Sequence, residues 1–162
     1  MSTAPSKIRF RDPQIEMAHG AGGKASRRLI EGLFAPLLFG AQSGSLGDAA
    51  HVRINGSNVA ITTDSFVVNP LRFPGGSIGE LAVNGTVNDL AVSGAAAEKL
   101  VVTYVLEAGL PTDVLEAEVH AMAQAAERAG VAIVEATRRS SSTAKPTGCT
   151  LALLESGILF LP

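Results

Sequence analysis

The stretch ITTDSFVVNPLRFPGGSIGELAVNGTVNDLAVSG, residues 61–94, contains an apolar strand, a loop rich in proline and glycine, and a helix. Ser77 with Glu80 three positions later predicts a capping box, and therefore a helix over residues 77–93. Gly85 lies inside this helix, where glycine lowers stability, so it indicates close packing or a ligand. The residues expected to face inward are Ile78, Leu81, Ala82, Leu90 and Ala91.

Strands and helices alternate on both sides of this stretch. Asn55-Gly56 is a strong hairpin signal and predicts paired strands over residues 49–54 and 58–63. Farther along, residues 100–107 read as a strand and residues 111–130 as a helix that ends at Gly130. Residues 131–134 are apolar throughout, which predicts a central strand. The alternation predicts an α/β (α+β) class.

The N-terminal part has a different character. Residues 1–14 read as a loose lead-in, and residues 15–162 as one domain. A glycine-rich loop, residues 19–23, precedes a helix expected over residues 25–39, with Pro36 able to kink it. The predicted buried stripe of that helix is Leu29, Ile30, Leu33, Leu37 and Leu38.

Composition limits the class of protein. The chain has 162 residues, of which 46% are apolar and 17% charged, enough apolar material for a folded core. The formal charge of −2 does not suggest nucleic acid binding by bulk electrostatics. Cys149 is the single cysteine, which excludes an internal disulfide. No apolar run reaches membrane-spanning length and no signal peptide is recognised, so we expect a cytoplasmic protein.

Three aspartates lie near glycine-rich segments: Asp48 in a loop, Asp64 at the end of a predicted strand and Asp89 in the predicted helix. Asp48, Asp64 and Asp89 supply the oxygen ligands that Mg²⁺ prefers in a nucleotide site. Solvated or capping carboxylates are the alternative for all three. His19 could contact a phosphate or a catalytic water, or could be a surface residue. The loop after it is neither a P-loop nor a dinucleotide-binding fingerprint.

Five segments occurring in order together point to a known family. They are MAHGAGG (residues 17–23), DAA (48–50), TTDSFVV (62–68), FPGGSIG (73–79) and GTVNDLA (85–91). Over about residues 15–134 the chain resembles the N-terminal domain of the HypE family, within the PurM-like superfamily. The resemblance implies a mixed β-sheet with helices on one face, and a sheet completed or covered by a dimer partner.

The resemblance also implies a reaction and its partners. HypE-like proteins are homodimers that use ATP and Mg²⁺ to dehydrate a carbamoyl group carried on a C-terminal cysteine. The resulting thiocyanate supplies the cyanide ligands of [NiFe]-hydrogenase. A HypF-like carbamoyltransferase and a HypC–HypD complex would be the other partners.

Carried over onto this sequence, the resemblance gives each candidate residue a role. Asp48, Asp64 and Asp89 become metal and nucleotide ligands. His19 and Lys24 become candidate catalytic residues. The remaining nucleotide-site residues would be Gly20, Gly22, Gly23 and Asn88.

The chain departs from the family pattern in two places. It ends at Pro162, without the family's second domain and cysteine tail, so we expect it to be incomplete and inactive alone. After residues 131–134 the family carries Gly-Asp-Thr-Lys, whose aspartate is another metal ligand, whereas this chain reads EATRRS over residues 135–140. We therefore expect weak MgATP binding, not a micromolar affinity, and poor packing over residues 138–147.

Residues 136–156 can be reverse-translated so that a neighbouring frame reads GDTKVVEHGKADGLYLGTTGV, an orthodox family continuation. A compensated frameshift, in the gene or in the sequence as read, is our hypothesis for this segment, and resequencing the DNA tests it. Two other functions stay open: a non-catalytic dimerisation or interaction domain, and another PurM-like enzyme. Examples of the latter are selenophosphate synthetase, aminoimidazole ribonucleotide synthetase and thiamine-monophosphate kinase.

Overall fold

The computed structural model describes residues 9–39, 47–141 and 151–161. The chain divides into two compact units, Met1–Leu46 and Gly47–Pro162. Expectations for residues 1–8, for most of the loop at 42–47, and for residues 142–150 with Cys149 fall outside the described residues. In the part of the chain that is described, no helix is long and apolar enough to cross a membrane.

The first unit is helical. A short helix α1 (Met17–Gly20) is followed by α2 (Gly23–Leu29), a π-helical segment (Ile30–Phe34) and α3 (Ala35–Leu38). This confirms the helix predicted over residues 25–39, with a start two residues earlier. The irregular segment lies directly before α3, whose second residue, Pro36, lacks the N–H that a regular helix needs there.

The predicted buried stripe of this helix is largely wrong. Leu29 is buried and Leu33 is partly buried, but Ile30, Leu37 and Leu38 are exposed. The stripe assumed an uninterrupted period of about 3.6 residues per turn. A π-helical segment has a wider turn, so it rotates the positions that follow it away from the expected face.

The second unit is built on a five-stranded sheet. The chain order is β1 (Ala50–Ile54), β2 (Ser57–Val67), β3 (Arg72–Phe73), β4 (Gly76–Ser77), β5 (Lys99–Glu107), β6 (Ala132–Ser141) and β7 (Leu151–Leu161). The large sheet has the order β1-β2-β7-β5-β6, while β3 and β4 form a small ribbon. Strands β5 and β6 are parallel and the other pairs antiparallel, which confirms the predicted mixed sheet.

The predicted hairpin is confirmed. Ile54 pairs with Ser57, so Asn55 and Gly56 form a two-residue turn. Their φ angles of 49° and 88° are the left-handed values such a turn requires. Strand β2 continues past the predicted end at residue 63 and reaches Val67.

Two helices cover one face of this sheet, as predicted. They are α4 (Ile78–Val92) and α5 (Thr112–Ala129), and Gly130 ends α5 in the left-handed conformation, with φ 69°. Leu100 and Val102 of β5 pack in one core cluster with both helices. In α4, Ile78, Ala82 and Leu90 are buried as predicted and Leu81 partly so, but Ala91 is exposed because the buried residues lie on the neighbouring face of the helix.

The predicted capping box does not form at the start of α4. The hydroxyl of Ser77 has no hydrogen-bond partner, and Glu80 pairs instead with Arg128 at 2.8 Å. The buried Glu118 of α5 replaces it, because its Oε2 accepts the Gly79 N–H at 3.1 Å. Tertiary packing therefore caps this helix, rather than the local sequence.

The central position predicted for β6 is wrong. In the sheet formed by the described strands, β6 is an edge strand rather than a central one. Its apolar start is explained by packing below the helices, since Val131 is buried and Ile133 contacts the core. Residues 138–141 continue the strand, with Ser141 paired to Glu107, because backbone pairing to β5 does not require an apolar side-chain pattern. The poor packing expected over residues 138–147 stays a prediction, since Arg138 is exposed and residues 142–150 lie outside the described residues.

Candidate functional site

Helix α4 crosses strand β2 in the opposite chain direction. Near the middle of the helix, Gly85 lies against the ring of Phe66, and a Cβ on Gly85 would lie 2.5 Å from Phe66 Cζ. Farther along the helix, Leu90 packs with Ala60. The stretch of β2 between Ala60 and Phe66 therefore lies against the stretch of α4 between Gly85 and Leu90. The close packing predicted for Gly85 is confirmed.

This crossing brings two of the predicted aspartates to facing positions. Side chains alternate along a strand, so Asp64 lies on the same face as Ala60 and Phe66. Asp89 is four residues after Gly85 and so lies on the same face of the helix. Both aspartates are partly buried where α4 meets β2.

Asp48 is tied to the same strand. It lies two residues before β1, and the Thr62 hydroxyl donates a hydrogen bond of 2.7 Å to its backbone carbonyl. Thr62 is only 5% exposed and precedes Asp64 by two residues. Sequence reasoning missed Thr62, although its position two residues before Asp64 was a usable signal.

The three aspartates interact electrostatically. The pKa of Asp89 is raised above its ordinary value, first by burial and then by the negative charges of Asp64 and Asp48. Asp64 itself accepts a hydrogen bond of 2.8 Å from the Ser65 N–H. A bound cation would relieve the repulsion among these carboxylates. Asn88 is exposed and lies next to Asp89 on the helix.

The carboxylate oxygens of the three aspartates suit a metal site that is completed by a nucleotide and water, rather than one formed by protein ligands alone. Among the described residues, no group of three or more His, Cys, Asp or Glu side chains is arranged to hold a metal ion. The cluster therefore does not form an all-protein cage. It fits Mg²⁺, which commonly takes one or two carboxylates and completes its coordination with phosphate oxygens and water.

The glycine-rich loop belongs to the first unit. Gly22 and Gly23 have φ angles of 79° and 78°, which other residues rarely adopt, and a Cβ on either would meet no atom within 4 Å. Gly20 and Lys24 are also exposed. The loop therefore presents open backbone that a ligand could approach.

His19 is buried next to this loop, with both ring nitrogens engaged. The Glu16 N–H donates to its Nδ1 at 2.8 Å, so Nε2 carries the proton and faces the Asp12 carboxylate, also at 2.8 Å. The hydrogen bond from His19, together with Arg28, holds the pKa of Asp12 below its usual range. These contacts favour a role in organising the loop. Asp12 was missed because no motif connects it to His19.

A separate groove lies at the start of α4. It has a volume of about 530 Å³, and its walls include Arg72, Ser77 and His120. None of the predicted site residues lines it. The acidic cluster is thus distinct from this groove.

Comparison with known proteins identifies the family. Residues 46–154 match the model of the AIR synthase related protein family, N-terminal domain. The carbamoyl dehydratase HypE of Escherichia coli (strain K12) is 46% identical over 125 residues, which is 74% of this chain and 37% of that protein. The chain spans less than half the length of the curated HypE relatives it matches.

Two solved structures extend the similarity to the fold. A HypE–HypF complex contains a chain that is 38% identical, with a TM-score of 0.67 over 82% of this chain and 42% of that one. HypE in complex with ATP is also 38% identical, with a TM-score of 0.60 over 90% of this chain and 43% of that one. The chain therefore belongs to the AIR synthase-related, PurM-like family, in which it carries the N-terminal domain and is similar to the HypE members.

Proposed function

We propose that this chain is the ATP-binding half of a HypE-like carbamoyl dehydratase, and that Asp48, Asp64 and Asp89 bind the Mg²⁺ of MgATP. The observation that carries the proposal is the acidic cluster near the crossing of α4 and β2, in which burial and then the charges of Asp64 and Asp48 raise the pKa of Asp89. A similar HypE was solved with ATP, which supports the choice of nucleotide.

The proposed chemistry explains why carboxylates are needed. A carboxamide oxygen is a poor leaving group until it is phosphorylated, and phosphoryl transfer depends on neutralising phosphate charge. Mg²⁺ supplies that neutralisation when bound. The three aspartates would hold the ion, and Asn88 would line the nucleotide site beside them.

The glycine-rich loop and Lys24 belong to the proposal on the family resemblance alone. The open backbone of Gly20, Gly22 and Gly23 would approach the phosphates, and Lys24 would add positive charge. His19 would act on the reaction indirectly through the shape of this loop, or directly as the predicted catalytic residue. The matched part covers 37% of the E. coli relative, so the dehydratase reaction of the whole protein is part of the proposal.

Titration with MgATP, followed by ¹⁵N NMR, tests the proposal at the weak affinity expected. Amide shifts should move in β2 and α4 of the wild type, and D64N and D89N should each reduce the affinity about tenfold or more, because each removes a charged ligand. The matched control is D113N, at the exposed start of α5, which should bind like the wild type. Equal affinity of D64N, D89N and the wild type would refute the assignment.

A non-catalytic interaction domain is the second candidate function. Thr137 stands where the alternate reading frame places the family's additional aspartate, and its hydroxyl lies 2.9 Å from that of Thr103. One metal ligand is therefore replaced by a neutral side chain. The same titration decides between the two functions, because complete absence of MgATP binding favours the interaction domain.

The partners are also part of the proposal. A homodimer would cover the sheet face opposite the helices, where Val67 is 63% exposed. A HypF-like carbamoyltransferase is supported by the similar HypE solved in complex with HypF. The proposal that a HypC–HypD complex is also a partner rests on the family resemblance alone.

A further inference from the structure

Thr62 makes a side-chain contact that the strand does not require. Its side chain is 5% exposed on the helix-covered face of β2, a position where valine would fill similar space. Threonine adds a hydroxyl, and this hydroxyl donates to the backbone carbonyl of Asp48 at 2.7 Å. A buried hydroxyl is costly unless it is hydrogen-bonded, so this contact has to be formed in the folded state.

The hydrogen bond between Thr62 and Asp48 lies outside the backbone pairing of β1 with β2. The outermost pair between β1 and β2 is Ala50 with Ile61, so Asp48 lies two residues outside the paired region. The Thr62 hydroxyl holds the backbone of Asp48 to β2 at this point. The same strand carries Asp64 two residues later, on the same face.

We propose that Thr62 is a positioning residue that fixes Asp48 beside Asp64 and Asp89, so that its negative charge adds to theirs where the cation of MgATP binds. This inference rests on the proposed function. A carboxylate already held in place loses less conformational freedom when it binds an ion, and such preorganisation increases affinity. Thr62 itself touches neither ion nor nucleotide in this scheme.

The test compares three variants of the full chain. T62V keeps the shape of the side chain and removes the hydroxyl, whereas T62S keeps the hydroxyl. T112V is the matched control, because it makes the same substitution at the exposed start of α5. MgATP affinity is measured by NMR titration, and the order of the Asp48 backbone by its heteronuclear ¹⁵N NOE.

We expect T62V to weaken MgATP binding about three- to tenfold, the range for one neutral hydrogen bond. The NOE of Asp48 should fall in T62V. T62S should restore both quantities close to wild type, and T112V should change neither. A purely structural role in packing would be signalled by T62S behaving as poorly as T62V, which would overturn the inference.

The inference would also be overturned if T62V bound MgATP as tightly as the wild type and its Asp48 NOE were unchanged. If the wild type itself binds no MgATP, the proposed function fails. In that case the NOE of Asp48 still decides whether Thr62 positions this residue, so the two failures remain distinguishable.

Discussion

At the scale of single residues, Asp89 shows how a binding site can oppose stability. Its pKa is raised by burial and by the charges of Asp64 and Asp48, so folding disfavours its ionised form. Between the ordinary value of 3.8 and the higher folded pKa, the folded state holds more protons than the unfolded state. Stability therefore falls as pH rises through this window, and the loss remains at neutral pH.

Because ionised Asp89 lowers the stability of the folded state, a prediction follows for D89N. At pH 7 and without divalent cations, the variant should melt at a higher temperature than the wild type, because it removes the repelled charge. Below pH 3.8 the difference should vanish, since Asp89 is then protonated in both states. Added Mg²⁺ should raise the melting temperature of the wild type more than that of D89N. Scanning calorimetry in EDTA and in Mg²⁺ measures this, and a D89N variant less stable than the wild type at pH 7 would contradict it.

At the scale of an element, the start of α4 depends on a residue far away in sequence. Glu118 is 1% exposed, and its Oε2 accepts the N–H of Gly79. Its Oε1 lies 2.9 Å from Arg72 Nε, an ion pair whose geometry does not make a hydrogen bond. This carboxylate therefore fastens α5 to α4, the helix that carries Asp89.

The cap predicts unequal costs for two substitutions. E118A should lower the free energy of unfolding by about 1–3 kcal/mol, because it leaves the buried Gly79 N–H without a partner. S77A should change it by less than about 0.5 kcal/mol, since its hydroxyl makes no hydrogen bond. Urea denaturation measures both. A capping box would give the reverse order, with about 1 kcal/mol lost in S77A.

The element scale also shows why β6 was misjudged. Its first residues are apolar, which from sequence reads as a strand flanked on both sides. In the structure they are apolar because the helices cover them, and the polar residues up to Ser141 continue the strand through backbone pairing with β5. An apolar run reports burial of side chains and does not say whether a strand has one neighbour or two.

At the scale of the whole molecule, the second unit has helices on one face of its sheet. Leu100 and Val102 of β5 are in the helix-covered core, so Val101 and Val105, which alternate with them, lie on the other face and are partly exposed. A sheet with an apolar second face is commonly covered by another layer. A second copy of the chain is the proposed cover.

V101K tests this cover. We expect the wild type to be a dimer, and V101K to be shifted toward monomer by at least about tenfold in dissociation constant, because dimerisation would bury an unpaired charge. The control is V119K, on α5, where the valine is 42% exposed on the helical layer. Sedimentation equilibrium gives both constants. A monomeric wild type, or equal effects of V101K and V119K, would show that this face does not pair copies.

Features that depend on local chemistry and on recognisable motifs can be read from the amino-acid sequence alone. Asn55-Gly56 required a two-residue turn because few residues adopt left-handed angles, and Gly130 ended α5 for the same reason. The motifs around Asp64 and Asp89 identified the family.

Only the tertiary structure decided how those aspartates meet. The Phe66 ring against Gly85 brings α4 onto β2, Thr62 ties Asp48 to that strand, and Glu118 caps the helix from α5. These contacts join residues distant in the chain. Their energies depend on distance and burial, which a sequence pattern does not contain.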